Sequence, residues 1–337
     1  MTAAVAVDLG KTGCRAVLWT DHADHTDPAR TVHEVPGAPG LATDDGVATA
    51  RAAVRAAVLP LLEREGSPRP AVVCVGAAGA ATAPQAAHAL AVRLLEDLPT
   101  GEVAVTSDAV TAHAGALGGR PGVVLAIGTG CVAIGIGNDG SYARVDGWGP
   151  WLGDEGSGAW IGTAGVRAAL RAHDGRGPDT MLLRAAVERY GDPDRLPSAI
   201  GREGNPARTL AAFAPDVARA ATAGDEAAAA ILRRAAGSLA DTVRAAARRV
   251  DDGGSLDLAV TGGLTGLGEP LLGPLRSALS GSPRPLTPRP PLGDPLDGAR
   301  VLALNPPASH EAHVVRVQRA TPTVPTPPFA PAAAVQE

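Results

Sequence analysis

Residues 123–137 read VVLAIGTGCVAIGIG, and this stretch decides the fold because it joins two apolar runs through a glycine turn. Short apolar runs bounded by glycine are typical of buried β-strands, so the stretch predicts a strand, a tight turn and a second strand. Residues 4–19, AVAVDLGKTGCRAVLW, repeat this arrangement at the start of the chain. Two similar openings predict two similar domains, each beginning with a β-hairpin.

The segments outside these openings alternate between helix-like and strand-like composition. The predicted elements are a helix over 47–65, a strand over 71–80, a helix over 85–97, a strand over 102–109, mainly helices over 157–250 and a strand over 256–260. Strands that alternate with helices indicate an α/β layer architecture.

The length of 337 residues favours two domains, because a single core usually stops growing at ~250–300 residues. We expect an N-terminal domain over 1–116 and a C-terminal domain over 117–296. Residues 297–305 are predicted to form a short helix that returns to the N-terminal domain. The proline-rich composition of 306–337 predicts a disordered tail.

The bulk composition restricts the class of partner. The net charge is −5 and basic residues form no block, so neither nucleic acid nor an anionic membrane is expected as a partner. No run approaches the ~18 apolar residues that span a bilayer. The cysteines Cys14, Cys74 and Cys131 form no CxxC pair, which argues against a disulfide framework and a zinc site. A cytoplasmic protein that acts on a small molecule fits these features.

Three glycine-bearing turns are candidates for nucleotide contacts, because successive backbone N–H groups can face a phosphate. They contain Gly10, Lys11 and Thr12, then Gly128, Thr129 and Gly130, then Gly262 and Gly263. Asp8 precedes the first turn and is a candidate ligand of Mg²⁺. The first turn alone is also explained as an ordinary β-turn, and a single turn like the second is unremarkable. The P-loop pattern GxxxxGK[ST] is absent from the sequence.

Asp108 ends the strand predicted over 102–109 and is the candidate general base. Open α/β sheets bind ligands at the carboxyl ends of their strands, and a carboxylate there can accept a proton from an attacking hydroxyl. Asp108 or Ser107 is also a good N-cap for a following helix. The capping and catalytic roles are compatible.

Residues 146–160, DGWGPWLGDEGSGAW, hold three of the four tryptophans in a chain with 2% aromatic residues. Glycines let such a loop fold tightly, an aromatic face can pack on a sugar ring, and carboxylates can bind its hydroxyls. Gly147, Trp148 and Asp154 are therefore predicted to bind a sugar. Trp160 is interpreted as part of the core.

In this order and spacing, DLGKTG, TSDA, IGTGC, GWGPWLGDEGSG and VTGGL resemble the motifs of N-acetylglucosamine kinases and of BadF-type ATPases in the actin-like ATPase superfamily. The resemblance extends over residues 5–304. It implies an α/β fold of two actin-like (ribonuclease H-like) domains with a cleft between them. It also implies transfer of the γ-phosphate of ATP, with Mg²⁺, to the 6-hydroxyl of an amino sugar.

The resemblance implies a role for each motif. Asp108 would be the catalytic base and contact the sugar together with Gly147, Trp148 and Asp154; Asp8 would hold Mg²⁺; Gly10, Lys11, Thr12, Gly128, Thr129 and Gly130 would contact phosphates; Gly262 and Gly263 would contact adenosine. Lys11 either binds phosphate or points to solvent. Related proteins are commonly homodimers.

Other readings stay open at this stage. Residues 36–46 lack the sugar-binding asparagine of the family, which leaves glucosamine and N-acetylmuramate as alternatives to N-acetylglucosamine. A BadF-type activator ATPase would hold an iron–sulfur cluster through paired cysteines, and none are paired here. A non-catalytic sugar sensor is the other alternative, because Leu9 and Lys11 replace glycines of the usual first turn.

Overall fold

The computed structural model describes residues 3–20, 31–64, 67–201, 204–250 and 253–320. The strands are β1 (Ala3–Leu9), β2 (Gly13–Thr20), β3 (His33–Pro36), β4 (Val72–Ala77), β5 (Glu102–Ser107), β6 (Gly122–Ile127), β7 (Cys131–Ile136), β8 (Tyr142–Asp146), β9 (Leu256–Thr261), β10 (Leu286–Arg289) and β11 (Val315–Gln318). The helices are α1 (Gly46–Leu62), α2 (Pro84–Asp97), α3 (Asp108–Leu117), α4 (Gly158–His173), α5 (Met181–Tyr190), α6 (Leu196–Gly201), α7 (Pro206–Ala211), α8 (Ala214–Thr222), α9 (Glu226–Arg249), α10 (Glu269–Ser280), α11 (Pro295–Leu304) and α12 (Ala308–Glu311). None of the helices within these ranges has the length and hydropathy needed to cross a bilayer.

The described strands form two sheets with the same internal pattern. The first has the order β11-β5-β4-β1-β2-β3 and the second the order β10-β9-β6-β7-β8. β1 pairs antiparallel with β2 and parallel with β4, and β6 pairs antiparallel with β7 and parallel with β9. The two predicted hairpins are therefore confirmed, and each one opens a sheet of the same connectivity.

Helices cover both faces of each sheet, which explains why the central strands are apolar along their whole length. The outer face of the first sheet packs against α1 and α2. The outer face of the second packs against α4, α8, α9 and α10. Between the two sheets lie α3 and α11, which share one apolar cluster with β1 and β7. This helix pair is the structural link between the sheets.

The backbones of α3 and α11 are in direct contact where they cross. A methyl group on Gly298 of α11 would lie 1.8 Å from the carbonyl oxygen of Thr111, and one on Gly115 of α3 would lie 2.0 Å from the carbonyl oxygen of Asp294. Glycine is the residue that permits such an approach. α11 begins with a capping box, in which the Asp294 carboxylate accepts the Asp297 N–H and the Asp297 carboxylate accepts the Asp294 N–H.

The prediction of a disordered tail from residue 306 is wrong for its first part. α12 and β11 lie within it, and β11 pairs antiparallel with β5, with Val315 opposite Val105. Arg316 fixes the segment through bonds to Glu102, Glu311 and the carbonyl of Leu302. The alternating sequence VVRVQ forms a strand there despite the prolines on both sides. Residues 321–337 lie outside the described residues.

Two buried histidines also hold this segment. The Nδ1 atom of His113 on α3 lies 3.1 Å from Nε2 of His310 on α12, and His113 Nε2 lies 3.0 Å from the carbonyl oxygen of Gly122. Burial lowers the pKa of His113 to about 3 and that of His310 to about 4. Both rings are therefore neutral at physiological pH, and one can donate to the other without two positive charges meeting.

The glycine contact between α3 and α11 gives a stability test. Gly298→Ala should lower the free energy of unfolding by about 1–3 kcal/mol, because the added methyl group overlaps the Thr111 carbonyl. Gly237→Ala in α9 is the matched control, since a methyl group there meets nothing within 4 Å. That variant should gain about 0.5–1 kcal/mol from helix propensity. Urea unfolding measures both, and equal stability of the two variants would contradict the packing described.

Candidate active site

A cavity of about 1180 Å³ lies between the two sheets, at the carboxyl ends of the parallel strands. β1, β5, β6 and β9 all end there, where open α/β sheets bind their ligands. The predicted site residues that line it are Asp8, Lys11, Asp108, Gly128, Gly130, Gly147, Asp154 and Gly262. We call this cavity the cleft. It brings together one residue or more from every motif singled out in the sequence.

Five other predicted site residues lie in the same turns but do not line the cleft. They are Gly10, Thr12, Thr129, Gly263 and Trp148. Gly10 closes the first hairpin by donating its N–H to the carbonyl of Gly13 at 2.9 Å, and the carbonyl of Thr129 accepts the N–H of Ala159 at 3.0 Å. Their roles in ligand binding stay predictions.

Asp108 is the first residue of α3, immediately after β5. The N-cap is Ser107, whose hydroxyl accepts the Val110 N–H, while the Asp108 carboxylate accepts the N–H of Ala109 at 2.9 Å. Burial raises the pKa of Asp108 above its ordinary value, against the lowering effect of the Ala109 bond, and the nearby charge of Asp8 raises it further. A carboxylate that holds a proton more tightly than usual is suited to general-base work.

The first turn carries an ion pair that the sequence did not reveal. Arg15 lies opposite Asp8 on the β1–β2 hairpin, and its guanidinium donates to the Asp8 carboxylate at 2.6 Å. A second guanidinium nitrogen lies 3.7 Å from the Asp294 carboxylate at the start of α11. Arg15 therefore joins the first turn to the helix pair between the sheets. Asp8 and Arg15 lie opposite each other only in the register of this hairpin, so the pairing could have been found only by predicting that register.

The second and third turns are held by backbone contacts. The carbonyl of Gly128 accepts the N–H of Gly158, which fixes the turn to the start of α4. A methyl group on Gly130 would lie 2.6 Å from the Asp154 carboxylate, so this carboxylate lies over the backbone of the second turn. Gly262 has a φ of 97°, and a methyl group on it would lie 2.2 Å from the carbonyl of Ile127. Glycine is required at Gly262, where the contact is with backbone and φ is positive, whereas a methyl group on Gly130 would have to displace the Asp154 side chain.

The segment 146–157, which we call the tryptophan loop, is organised by Asp146. Its carboxylate accepts the N–H groups of Asp154 at 2.7 Å and Glu155 at 3.0 Å, and the thiol of Cys131 at 3.4 Å. Asp146 and Asp154 have φ values of 63° and 54°, in the left-handed region that aspartate tolerates better than most residues. Asp146 therefore positions Asp154, whose own pKa is raised by burial.

The two tryptophans of this loop, Trp148 and Trp151, are exposed and do not line the cleft. Trp148 is 68% exposed and Trp151 is 86% exposed, whereas Trp160 on α4 is partly buried and packs against the core as predicted. The guanidinium of Arg144 lies 5.5 Å from the centre of the Trp148 ring and donates to the carbonyl of Gly147. Arg144 also lines the cleft, and sequence reasoning missed it because no motif surrounds it.

The three cysteines of the chain are buried as free thiols. Burial raises the pKa of Cys14 and Cys74 to about 12 and also raises that of Cys131. All three are therefore neutral at physiological pH, and none is an accessible thiolate.

Several known proteins are similar to this chain in sequence. The sequence matches the BadF/BadG/BcrA/BcrD ATPase family over residues 5–281. An N-acetylmuramic acid/N-acetylglucosamine kinase of Clostridium acetobutylicum is 33% identical over 180 residues, which cover 51% of this chain and 57% of that protein. An N-acetyl-D-glucosamine kinase of Dictyostelium discoideum is 30% identical over 165 residues, 47% of this chain and 52% of that protein. The chain spans about half the length of these curated relatives.

A solved structure resembles almost the whole chain. It is a Chromobacterium violaceum protein provisionally named an N-acetylglucosamine kinase, with a TM-score of 0.64 and 28% identity. The match covers 90% of this chain and 99% of that one. The predicted fold class, α/β with two actin-like domains and a cleft between them, is confirmed.

The two hydrogen bonds that the Asp146 carboxylate accepts from the backbone of Asp154 and Glu155, which we call the Asp146 clamp, can be tested by two substitutions. Asp146→Ala should cost about 1–3 kcal/mol of stability, because the N–H groups of Asp154 and Glu155 lose their acceptor. Asp146→Asn keeps one acceptor oxygen and tolerates the left-handed backbone, so its loss should be clearly smaller. Urea unfolding and hydrogen exchange of these two amides measure the effect. Unchanged exchange in the alanine variant would refute the clamp.

Proposed function

The chain belongs to the BadF/BadG/BcrA/BcrD ATPase family, and from this premise we propose that it is an ATP-dependent kinase of an amino sugar. The substrate we favour is N-acetylglucosamine, phosphorylated on its 6-hydroxyl. The observation that carries the proposal is the meeting of two glycine turns, Asp108 and Asp154 in one cleft. The names of the similar proteins from Clostridium, Dictyostelium and Chromobacterium support the same reaction class.

The proposed reaction places the sugar between Asp108 and the phosphate turns. The 6-hydroxyl oxygen forms a bond to the γ-phosphorus, the bond from that phosphorus to the β,γ-bridging oxygen breaks, and ADP leaves. Asp108 accepts the proton of the hydroxyl, a role for which its raised pKa is suitable. Positioning and charge neutralisation supply most of the rate in phosphoryl transfer, and backbone turns provide both.

The nucleotide would lie across the three turns. Backbone N–H groups at Gly10 to Thr12 and at Gly128 to Gly130 would face the phosphates, and Lys11 lines the same cleft. Gly262 and Gly263 would face the adenosine. The short distance between Gly262 and the Ile127 carbonyl supports this assignment, because it places the third turn directly beside the second.

Asp8 is the proposed magnesium ligand. Mg²⁺ keeps several waters and is usually held by one or two carboxylates together with substrate phosphates. Asp8 fits this pattern, since it lines the cleft and its ion pair with Arg15 occupies only one of its two oxygens. Within the described ranges no group of three acidic, histidine or cysteine side chains forms a metal cage. The ion, when bound with ATP, would supply neutralisation of phosphate charge.

Arg144 bears on the choice of sugar. Its guanidinium lines the cleft beside Gly147 and faces the charges of Asp108 and Asp154. An amino sugar with a carboxylate, such as N-acetylmuramate, would find a cation there, and the Clostridium relative is named for both sugars. N-acetylmuramate is therefore the second candidate substrate.

The two alternatives from the sequence receive less support. An activator ATPase needs accessible paired cysteines, whereas Cys14, Cys74 and Cys131 are buried with raised pKa values. A sensor without catalysis has no use for a carboxylate with a raised pKa at the centre of the cleft. The homodimer, the cytoplasmic location and the lack of a nucleic-acid partner stay predictions from the sequence.

A sugar panel tests the kinase proposal. N-acetylglucosamine should stimulate ATP consumption more strongly than glucosamine, N-acetylmannosamine, N-acetylmuramate or glucose does, with ATP hydrolysis in the absence of sugar as the baseline.

Arg144→Gln should reduce kcat/KM for N-acetylmuramate by roughly tenfold and leave the value for N-acetylglucosamine within about threefold. If no sugar in the panel stimulates turnover, the kinase proposal is wrong.

Asp108 is tested by substitution and by pH. Asp108→Asn should lower kcat by about 10²–10⁴-fold while ATP binding is retained.

In the wild-type protein kcat/KM should fall as the pH drops through the pKa of Asp108, because only the deprotonated carboxylate acts as a base. The midpoint should lie above the ordinary aspartate value of about 3.9. Near-normal turnover of Asp108→Asn, with a large loss in Asp154→Asn, would transfer the role to Asp154.

A further inference from the structure

A second cavity, of about 810 Å³, lies among the helices that cover the second sheet. One face of α4 forms its long wall, with Trp160, Arg167 and Arg171 at helical spacing. α9 contributes Arg234 to the lining, and the tryptophan loop contributes Trp151. We call this space the arginine cavity. Nothing in the proposed kinase reaction uses it.

The charge of this cavity is not balanced by its own walls. Among the described residues, neither Arg167 nor Arg234 makes an ion pair, and Arg171 donates only to the backbone carbonyl of Arg176. The one carboxylate in the wall is that of Asp154, which lies over Gly130 at the border with the cleft. Three exposed arginines therefore line one open cavity without ion-pair partners of their own.

Arg233 on α9 shows that arginines on this surface are not all without ion-pair partners. Arg233 pairs with Glu226 on its own helix. Arg234, the next residue, instead lies over the ring of Trp160, with its guanidinium carbon 5.6 Å from the ring centre. A cation–π contact of this kind holds the side chain over the cavity while leaving its N–H groups able to bind an anion.

The chemistry of the walls indicates the class of ligand. Guanidinium groups bind phosphate through paired N–H donors, and they bind it better than most other side chains do. The exposed ring of Trp151 offers a flat apolar surface for a ring, while the ring of Trp160 carries Arg234. The volume is in the range of small-molecule sites and exceeds what a phosphate ion alone would fill. A ring compound with one phosphate monoester satisfies all three features.

We propose that the arginine cavity is a second binding site, which takes a hexose phosphate. This is the class of compound that the proposed kinase reaction releases, and in that respect the inference rests on the proposed function. The tryptophan loop borders both spaces, since Trp151 lines the arginine cavity, Gly147 lines the cleft and Asp154 lines both. A ligand in the cavity therefore contacts the same loop that carries the predicted sugar-binding residues, which gives the product a route to inhibit its own formation.

Calorimetric titration of the full chain tests the site. N-acetylglucosamine 6-phosphate should bind to the wild-type protein at two sites, the cleft and the arginine cavity. In Arg167→Gln/Arg234→Gln one of the two should weaken by ~10- to 100-fold, because charged hydrogen bonds to the phosphate are lost. Arg184→Gln/Arg233→Gln is the matched control, since it also removes two charges but neither residue lines the cavity. It should bind like the wild type.

Each other outcome overturns the proposal. A single site in the wild-type protein, or two unchanged sites in Arg167→Gln/Arg234→Gln, would show that the cavity does not bind the compound. Equal binding of inorganic phosphate would show a simple anion site, and equal binding of N-acetylglucosamine would show that the phosphate is not recognised. A dimer in sedimentation that dissociates in this variant would assign the cavity to a subunit interface.

The titration is independent of turnover, so it distinguishes the two proposals. If the sugar panel shows no kinase activity while the second site persists and depends on Arg167 and Arg234, the site stands and the kinase proposal falls. If activity is present, the Arg167→Gln/Arg234→Gln variant should show weaker product inhibition with an unchanged KM for the sugar. Unchanged product inhibition would refute the route through the tryptophan loop.

Discussion

The direct contact between the backbones of α3 and α11 sets the positions of most other parts of the molecule. Both helices lie between the sheets, so the distance between the sheets depends on how closely these two can approach. Gly115 and Gly298 make that distance small. The same helices begin beside the cleft, α3 with Asp108 and α11 next to the Arg15–Asp294 contact. A change in the crossing would therefore move the candidate base relative to the first turn.

The cleft combines backbone turns with a balanced set of charges. Asp8, Asp108 and Asp154 all line it, and three carboxylates in one cavity would repel each other and the phosphates of a nucleotide. Arg15 neutralises Asp8 directly, whereas Lys11 and Arg144 act on Asp108 from a greater distance. Among the described residues Asp108 and Asp154 form no ion pair, and burial raises the pKa of each of these two carboxylates.

The sequence predicted the elements that depend on local pattern. Both hairpins, the position of Asp108 at a strand end and the glycine turns follow from composition and spacing over a few residues. Asp146, Arg15 and Arg144 were missed because their roles depend on strand register or on a bond to a backbone group distant in the chain. β11 was missed because proline-rich surroundings outweighed four alternating residues. The arginine cavity needed the packing of α4 against α9, which no local pattern reports.

The pairing of β11 with β5 has a consequence for the order of events during synthesis. The first sheet contains strands from residues 3–107 and also residues 315–318, and α11 packs on its inner face. The second sheet, by contrast, is complete once residue 289 has left the ribosome. The domain that starts first is thus the one that finishes last. Until then the edge of β5 is unpaired, which is a surface for a chaperone to protect.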